Sequence, residues 1–373
     1  MKIAYCIEGL FNSGGMERII SVKASYLAQK GYDVTIITSH QEGKPLAFPL
    51  YRTIHIVDLN VDFTQKSNIL FNDIRKEYRL KLCDYLLKNR FDITISTGGM
   101  DLYELYKIRD SSEKIAEIHF SYDMYFLMSR DNRHKFISRL LAQLKTWRMV
   151  YAAKKYRRFV VLTKRDKIDW EKHCSNVCQI YNPITFKVDG VSTLTSKNVI
   201  AVGRLTYQKG FDLLLHAWRY VVLAHPDWTL NIYGDGPDRM SLQNYIDTFD
   251  LSNNVCLRGN TCDVRLCMLQ NSIYVLSSRF EGFPLSVIEA ESCGLPVVAF
   301  DCKCGPSELI EDGGNGYLVR DVGDIEGLTR ALCHLIDDYN LRKKMGMISS
   351  IKVKSLNVDI IMERWIKLFN SLC

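Results

Sequence analysis

Residues 277–310 read SSRFEGFPLSVIEAESCGLPVVAFDCKCGPSELI, and this stretch decides which fold the sequence predicts. A β-type run precedes it, and it then gives a glycine–proline turn, a helical pattern and a second β-type run. Glu281 lies in the loop after the first run, and Glu289 lies about two turns into the helix. A helix N-terminus offers unpaired N–H groups and a partial positive charge that suit a phosphate, while carboxylates suit hydroxyl groups. The stretch therefore predicts a site for a nucleotide sugar, which presents both kinds of group.

The same alternation of β-type runs and amphipathic segments extends through both halves of the chain. Helical patterns at 16–30, 211–224 and 285–293 lie between the runs. This order predicts an α/β fold with two doubly wound, parallel, Rossmann-like sheets. The predicted strands are 3–7, 34–38, 93–96, 115–118 and 159–162 in the first half, and 199–202, 229–233, 255–258, 273–276, 296–300 and 316–319 in the second.

A weakly periodic segment at 183–197, rich in Ser, Thr and Gly, is the best linker candidate. We therefore predict an N-terminal domain at 1–184 and a C-terminal domain at 193–357. Ligands of open α/β sheets bind at the carboxyl ends of the strands. Two facing sheets of this kind would leave a cleft between the domains, which is a usual place for a ligand.

Length and composition predict a globular protein of two domains. The chain has 373 residues, of which 47% are hydrophobic and 24% are charged. No apolar run approaches the ~20 residues of a membrane span, and the N-terminus reads as a buried strand, not as a signal peptide. The twelve cysteines show no disulfide framework or zinc spacing, which favours a cytoplasmic location. We expect no metal and no cofactor, since the sequence lacks the Asp-x-Asp pattern of a metal-bridged diphosphate site.

Positive charge is concentrated at 130–172, where 14 basic and 4 acidic residues alternate with aromatic and aliphatic ones. Three interpretations stay open. The first is an amphipathic helix with a solvated basic face. The second is contact with an anionic membrane surface or a phosphorylated lipid, which would make the protein peripheral at the inner face of the membrane. Nucleic acid is the third, but no nucleic-acid motif accompanies the patch, so we expect no such partner.

Cations and glycines follow several predicted strands. Arg204 and Lys209 come after the strand at 199–202, where they would neutralise a departing diphosphate or serve only as surface charges of a polar loop. His119 follows the strand at 115–118, where a functional and a structural role are equally open. The loop between the first strand and its helix contains Gly14 and Gly15, and such a glycine turn lets backbone approach a ligand closely.

Several short motifs follow one another in a fixed order: Gly14-Gly15-Met16-Glu17-Arg18, Gly203-Arg204…Lys209-Gly210, Gly234-Asp235-Gly236-Pro237, Glu281-Gly282-Phe283…Glu289-Ala290 and Cys293-Gly294-Leu295-Pro296-Val297-Val298. This order resembles the retaining glycosyltransferases of family 4, which have the GT-B fold of two facing Rossmann-like domains with a cleft between them. The resemblance covers nearly the whole chain and is most specific in the second half. It implies that the first domain binds the acceptor, that the second binds the nucleotide sugar, and that the last helix, at 358–373, packs back on the first domain.

The resemblance also implies a role for individual residues. Arg204 and Lys209 would bind the diphosphate, Glu281 would hold hydroxyls of the transferred sugar, and His119 would face the sugar and the reaction centre; these four are the expected catalytic residues. Glu289 would hold the nucleotide ribose. The remaining expected donor-binding residues are Gly14, Gly15, Gly234, Arg258, Gly282, Phe283, Leu285 and Ser286. Pro284 departs from the family pattern, because many relatives have glycine there and proline has no N–H to donate.

The sequence is therefore interpreted as a retaining, metal-independent glycosyltransferase. It would move a hexose or an N-acetylhexosamine from a nucleotide diphosphate sugar, by family analogy UDP-linked, to a glycan or lipid-diphosphate-linked acceptor in bacterial polysaccharide biosynthesis. No paired nucleophile and acid stands out, so a front-face route is favoured, in which the leaving phosphate accepts the proton of the acceptor. The alternatives are a nucleotide-sugar epimerase or phosphorylase on the same fold, or a non-catalytic nucleotide-sugar-binding protein.

Overall fold

The computed structural model describes residues 1–63, 68–129, 135–186 and 189–372. The chain divides into two compact units. Unit 1 consists of Met1–Thr185 with Val358–Cys373, and unit 2 consists of Phe186–Asn357. Each unit has a parallel sheet and a hydrophobic core of its own.

Within the described residues, the sheet of unit 1 has seven strands, all parallel. In chain order they are β1 (Lys2–Ile7), β2 (Asp33–Thr38), β3 (His55–Asp58), β4 (Ile93–Ser96), β5 (Glu113–Glu117), β6 (Arg158–Val161) and β7 (Val177–Gln179). Their order across the sheet is β3-β2-β1-β4-β5-β6-β7. The central strands are nearly continuous runs of buried side chains, as expected for a parallel sheet covered on both faces.

The sheet of unit 2 repeats this plan with six parallel strands in the described part of the chain. They are β8 (Asn198–Val202), β9 (Thr229–Tyr233), β10 (Val255–Gly259), β11 (Ile273–Leu276), β12 (Val297–Phe300) and β13 (Gly316–Val319). Their order is β10-β9-β8-β11-β12-β13. The strand order therefore reverses between β8 and β11, just as it reverses between β1 and β4 in unit 1.

Helices connect the strands in both units. No described helix combines the length and the hydropathy that crossing a membrane would require. The helices of unit 1 are α1 (Gly15–Gln29), α2 (Asn68–Asn89), α3 (Asp101–Glu104), α4 (Met124–Ser129), α5 (Lys135–Ala153) and α6 (Lys164–Glu171). Those of unit 2 are α7 (Phe211–Ala224), α8 (Arg239–Thr248), α9 (Val264–Leu269), α10 (Leu285–Ser292), α11 (Pro306–Leu309), α12 (Ile325–Asp337) and α13 (Tyr339–Lys352), and α14 (Val358–Asn370) returns to unit 1.

Helix α7 shows how the sequence builds the core of unit 2. Phe211, Leu214, Leu215 and Trp218 recur at helical spacing and are buried against the sheet and against α12. Burial of each such side chain stabilises the unit by about 2 kcal/mol. The indole N–H of Trp218 donates to the backbone oxygen of Asn254 at 3.0 Å, so the largest of these side chains buries no unpaired polar atom.

The predicted fold class is confirmed, because both sheets are parallel and doubly wound and all eleven predicted strands are present. The strands β3 and β7 were not predicted. Both are short edge strands whose side chains stay largely in contact with solvent, so neither has the apolar run by which a buried strand is recognised. The expected position of Glu289 was wrong by most of a turn, since it is the fifth residue of α10, a little more than one turn from the start of that helix.

Candidate functional site

The reversal of strand order in unit 2 brings two of the predicted loops to one place. Ligands of open α/β sheets bind outside the carboxyl ends of the strands at such a point. The loop after β8 contains Arg204 and Lys209, and the loop after the neighbouring β11 contains Glu281. The sheet therefore places cations and a carboxylate at adjacent strand ends.

Lys209 and Glu281 form an ion pair at this edge. The ammonium nitrogen of Lys209 lies 2.7 Å from Oε1 of Glu281, and the exposed fractions of the two side chains are 20% and 6%. The hydroxyl of Ser278 donates to the same oxygen at 2.5 Å. A carboxylate this deeply buried loses most of its hydration, and these two donors replace part of it. Lys209 keeps more solvent contact and so remains accessible to a ligand.

Backbone packing fixes the position of Lys209. The hydroxyl of Ser277 donates to the backbone oxygen of Lys209 at 2.9 Å. Gly210 has a φ of 63°, and a Cβ at that residue would stand 2.2 Å from the backbone oxygen of Ser277. Only glycine accepts both the left-handed backbone and this close approach, so the Lys209–Gly210 pair of the predicted motif has a structural cause. The aliphatic part of Lys209 lies over Gly203.

The turn after β9 packs directly against the loop after β8. Gly234 has a φ of 133°, and a Cβ there would stand 2.0 Å from the backbone oxygen of Gly203. Gly236 approaches the backbone of Leu205 almost as closely. The predicted donor-binding residue Gly234 is therefore explained first as a packing requirement. Arg258, at the end of β10, is exposed and donates from Nε to Oδ1 of Asn231 at 2.9 Å.

Helix α10 begins beside the ion pair. Pro284 is its N-cap and Val287 donates to the Pro284 backbone oxygen at 3.0 Å, but the N–H groups of Leu285 and Ser286 have no hydrogen-bond acceptor among the described residues. Such free N–H groups make a helix N-terminus a binding site for anions. Pro284 packs against the backbone of Gly305, where a Cβ would stand 2.4 Å from the proline ring. The proline therefore orders this helix start and leaves the two following donors free.

Glu289 is buried one turn further along α10, on the same helix as these donors. Tyr274 of β11 donates its hydroxyl to Ser286 at 2.6 Å. Burial raises the pKa of Tyr274, and the charges of Glu281 and Glu289 raise it further, so this phenol stays neutral. Phe283 is buried and Gly282 is partly buried in the turn before the helix.

Arg204 differs from Lys209. Its side chain is exposed and has no hydrogen bond or ion pair to the described residues. The two predicted diphosphate ligands are thus in different states, since Lys209 is paired with a carboxylate and Arg204 has no described side-chain partner.

In unit 1 the predicted residues lie at the carboxyl edge of the sheet. Gly14 is the N-cap of α1, where a Cβ would stand 2.4 Å from the carboxylate of Glu17, and Gly15 is the first residue of that helix. Burial raises the pKa of Glu17. His119 follows β5, with 9% of its side chain exposed, and its Nε2 lies 3.3 Å from Oε1 of Glu117. Burial lowers the pKa of His119 while Glu117 opposes that change, so its imidazole is neutral at pH 7.

A small cavity of about 50 Å³ opens at the same edge of unit 1. Its lining includes Glu8 after β1, Ser39 after β2 and Asp101 at the start of α3. Burial raises the pKa of Asp101 to about 6, although its carboxylate accepts hydrogen bonds from the hydroxyl of Ser96 and the N–H of Thr97. The cavity adds polar residues that the motifs did not indicate.

The described residues contain no group of three or more His, Cys, Asp and Glu side chains able to hold a metal ion. The expectation that no metal takes part stays a prediction. Two residues of the site were not predicted from the sequence: Ser278, which is the second donor to Glu281, and Gly305, which adjoins Pro284. The glycine doublet at 98–99 after β4 was a usable signal for Asp101, whereas nothing in the sequence marks Ser278 apart from the many other serines.

Comparison with known proteins gives consistent results for both halves of the chain. The family model described as "Glycosyl transferases group 1" matches residues 185–349. An uncharacterized glycosyltransferase of Haemophilus influenzae is 30% identical over 368 residues, covering 98% of each chain. The amylovoran biosynthesis glycosyltransferase AmsD of Erwinia amylovora is 30% identical over 390 residues, covering 99% of each.

Solved structures share the fold. A mutant of TarM from Staphylococcus aureus, in complex with Fondaparinux, alpha-GlcNAc-glycerol and UDP, superimposes with a TM-score of 0.82 and 19% identity, over 99% of this chain and 100% of that one. At this level of identity the likeness shows the fold alone. The fold is therefore the GT-B arrangement of two Rossmann-like parallel-sheet domains.

Proposed function

This chain belongs to the group 1 glycosyl transferases, and from that premise we propose that it moves a hexose or an N-acetylhexosamine from a UDP-linked sugar to an acceptor hydroxyl with retention of configuration. Glycosyltransferase activity follows from the family. The donor, the acceptor and the stereochemistry are the proposal. AmsD, a relative over the full length, is named for amylovoran biosynthesis, which supports a polysaccharide or lipid-linked glycan as the acceptor.

The ion pair of Lys209 and Glu281 at the strand reversal of unit 2 carries this proposal. A cation and a carboxylate held 2.7 Å apart can serve the two halves of a nucleotide sugar, because the ammonium suits the diphosphate and the carboxylate accepts sugar hydroxyls. The free N–H groups of Leu285 and Ser286 lie at the start of the helix that follows Glu281 and would bind phosphate oxygens. Glu289, further along that helix, would hold the ribose.

Lys209 and Arg204 would act in the transition state as well as in binding. Negative charge grows on the diphosphate as the glycosidic bond breaks, and donors that are already in place stabilise that charge more than they stabilise the bound substrate. Lys209 is held in place by its backbone and by Glu281, whereas Arg204 is exposed without a described side-chain partner and would close on the ligand. We propose that these groups and the helix N-terminus stabilise the leaving group without a metal ion.

A front-face route fits the state of Glu281. A double displacement needs a carboxylate that is free to attack the anomeric carbon. Glu281 is instead engaged on one oxygen by Lys209 and Ser278, which suits a group that clamps hydroxyls. In the front-face route the acceptor hydroxyl attacks from the side of the leaving diphosphate, and a phosphate oxygen takes its proton. His119, neutral at pH 7, would contact the transferred sugar, and Gly14 and Gly15 would approach the phosphates.

The exposed face of α5 supports a lipid-linked acceptor. The helix is buried through small or slender side chains such as Ala142, Thr146 and Met149. Its sequence contains four basic residues and no acidic one. The large apolar residues point outward, and the exposed fractions of Phe136 and Trp147 are 83% and 66%. The other exposed apolar residues of the helix are Ile137, Leu140, Leu141, Leu144 and Tyr151.

An outward apolar face on a basic helix has the chemistry of an anionic membrane surface, because acyl chains accept the apolar residues and anionic headgroups attract the cations. We therefore place the membrane contact on α5, within the basic segment 130–172; residues 130–134 of that segment lie outside the described residues. Vesicles containing 30 mol% phosphatidylglycerol should bind the protein at low salt, and Trp147→Glu should weaken that binding about tenfold or more. Leu223→Glu is the matched control, since Leu223 is also apolar and exposed but lies on α7 in unit 2. Equal binding by both variants would contradict the assignment to α5.

A panel of nucleotide sugars tests the donor. A ligand that binds the folded state raises its melting temperature by mass action, so the true donor should give a larger shift than UDP alone, and Lys209→Met should reduce both shifts. The preferred donor, incubated without acceptor, should then be recovered unchanged. An isomerised sugar would indicate an epimerase, and a melting temperature that no nucleotide sugar changes would refute the proposed donor class.

A further inference from the structure

A fully buried ion pair lies behind His119 in unit 1. The ammonium nitrogen of Lys23, on α1, is 2.5 Å from Oε2 of Glu117, on β5, and neither side chain has any exposed surface. Burial lowers the pKa of Lys23 to about 8, although Glu117 opposes that change. Removing two charges from water is costly, and replacing such a pair with apolar residues is often neutral or stabilising. A pair in this position therefore calls for a functional explanation.

The C-terminal helix closes the far side of the pair. The Lys23 nitrogen lies 3.6 Å from the centroid of the Trp365 ring on α14, and Trp365 is itself buried. Among the described residues, the ammonium of Lys23 donates its hydrogen bond to Glu117. An ammonium has three donors and no acceptor, so Lys23 holds Oε2 of Glu117 in one orientation. The second oxygen, Oε1, is then directed away from Lys23.

That second oxygen meets His119. Oε1 of Glu117 and Nε2 of His119 are 3.3 Å apart and buried, and neither atom has a hydrogen-bond partner among the described residues. A buried acceptor and a buried ring nitrogen left unpaired would each be costly. A proton on Nε2, once a rotation of the ring directs it at Oε1, would pair both atoms. It also leaves Nδ1 as the unprotonated nitrogen of the neutral ring.

We propose that Glu117 is a positioning residue that holds His119 in the Nε2–H tautomer and in one ring orientation, with Lys23 as its fixed counter-ion. The inference rests on the role proposed above for His119 at the sugar. It gives the buried pair a task, since a carboxylate fixed on one side by an ammonium can direct its free oxygen at only one imidazole nitrogen. A carboxylate that orients a histidine in this way sets which nitrogen faces the ligand.

The change Glu117→Gln tests the tautomer. Lys23 can only donate, so the carbonyl oxygen of the amide must turn toward it, and the amide NH₂ must then face His119. Nε2 becomes an acceptor, and the ring proton moves to Nδ1. Long-range ¹H–¹⁵N spectra of protein labelled at its eight histidines should show the Nε2–H pattern for His119 in the parent and the Nδ1–H pattern in the variant. The signal is assigned by its loss in His119→Asn. An unchanged pattern in Glu117→Gln would overturn the proposal.

Turnover provides a second, independent readout. Glu117→Gln should lower kcat on the order of 100-fold, similar to His119→Asn, and leave the KM for the donor within about threefold, because the donor is held by unit 2. A double variant, Lys23→Met with Glu117→Met, separates positioning from stability. Its melting temperature should equal or exceed that of the parent, since the charges are removed together. Its kcat should stay as low as that of Glu117→Gln.

The outcomes distinguish this inference from the proposed function. If the double variant regained parental kcat along with its stability, the pair would be structural and the inference would fail while the transferase activity stood. If the parent transferred no sugar but showed the expected tautomers, the proposed function would fail instead. The spectra need no substrate, so they test the geometry whichever result the kinetics give.

Discussion

Replacing Lys209 with methionine should destabilise unit 2 and weaken UDP binding, and a double-mutant cycle with Glu281→Gln separates these effects. At a distance of 2.7 Å and an effective dielectric constant of about 20, the gross attraction between the two charges is about 6 kcal/mol. Desolvation of two largely buried ions offsets several kcal/mol of this. The net coupling should therefore be about 2 kcal/mol, within the usual range for residues in contact.

The three variants of the cycle should differ in how much free energy of unfolding each one loses. Lys209→Met leaves the carboxylate of Glu281 buried with only the Ser278 hydroxyl, which should cost about 3 kcal/mol. Glu281→Gln leaves Lys209 with a neutral acceptor and a route to water, which should cost about 1 kcal/mol. The double variant should then lose about 2 kcal/mol, less than the sum of the single changes. Urea unfolding, followed on the transition that UDP shifts, measures all four proteins.

UDP affinity should respond in opposite senses. Lys209→Met removes a charge-assisted contact to the diphosphate and should raise the Kd for UDP about 10- to 100-fold. Glu281→Gln removes the competitor for the same ammonium, so the Kd for UDP should stay equal or fall. Calorimetric titration with UDP checks both. Additive unfolding energies within about 0.5 kcal/mol, or a UDP affinity that Glu281→Gln lowers as much as Lys209→Met does, would contradict the proposed coupling of Lys209 and Glu281.

Three further changes test other parts of the structure. Arg204→Ala should leave the melting temperature unchanged, because the side chain has no described partner, but should lower kcat about 100-fold. Normal turnover would show that Arg204 does not stabilise the leaving group. Gly210→Ala should destabilise unit 2 by at least about 2 kcal/mol, since its Cβ would stand 2.2 Å from the Ser277 oxygen. Gly313→Ala controls for backbone strain alone, because Gly313 has a φ of 75° and its Cβ would meet no atom. Equal losses of unfolding free energy in the two variants would contradict a packing role for Gly210. Burial raises the pKa of Glu291 to about 8, so the folded state binds more protons than the unfolded state between pH 4.5 and about 8. The free energy of unfolding should therefore fall, by at most about 5 kcal/mol, as the pH rises through that range. Glu291→Gln should flatten this pH profile in urea titrations from pH 5 to pH 9, and a profile parallel to that of the parent would contradict the assignment to Glu291.

The fold could be predicted from the sequence because the central strands of both sheets are buried apolar runs that alternate along the chain with amphipathic segments. The edge strand His55–Asp58 could not, since its side chains are mostly exposed and its two apolar residues, Ile56 and Val57, are too few to mark a buried run. Its place in the sheet comes from backbone pairing with β2, which leaves no trace in side-chain type. Residue type along the chain therefore identifies the central strands of each sheet, whereas an edge strand is identified only by its pairing with a neighbouring strand.

The candidate site was predicted in part for the same reason. Glycines at Gly210 and Gly234 mark close backbone approaches, and these are visible in the sequence as strand-end turns. The direct contact between Lys209 and Glu281 joins loops 72 residues apart, and only the strand order brings them together. The individual roles of Lys209 and Glu281 in donor binding stay predictions.

The buried pair behind His119 had a signal that was not used. Lys23 falls on the buried spacing of α1, between Ile20 and Leu27, where an apolar residue is expected. Glu117 likewise interrupts a β-type run on a central strand. Charged residues at two core positions indicate a partner for each, but the sequence alone cannot show that they are partners of one another or that His119 adjoins them.

The most direct test of the central claim is transfer itself. The protein is incubated with the donor that stabilises it most and with a lipid-diphosphate-linked glycan acceptor, and the acceptor is analysed by mass spectrometry and by the ¹H spectrum of its anomeric protons. We expect one added sugar per acceptor, one UDP released for each sugar transferred, and an anomeric configuration equal to that of the donor. Inverted configuration would contradict the front-face mechanism, and release of free sugar without any gain in acceptor mass, for every acceptor that binds, would contradict the proposed transfer.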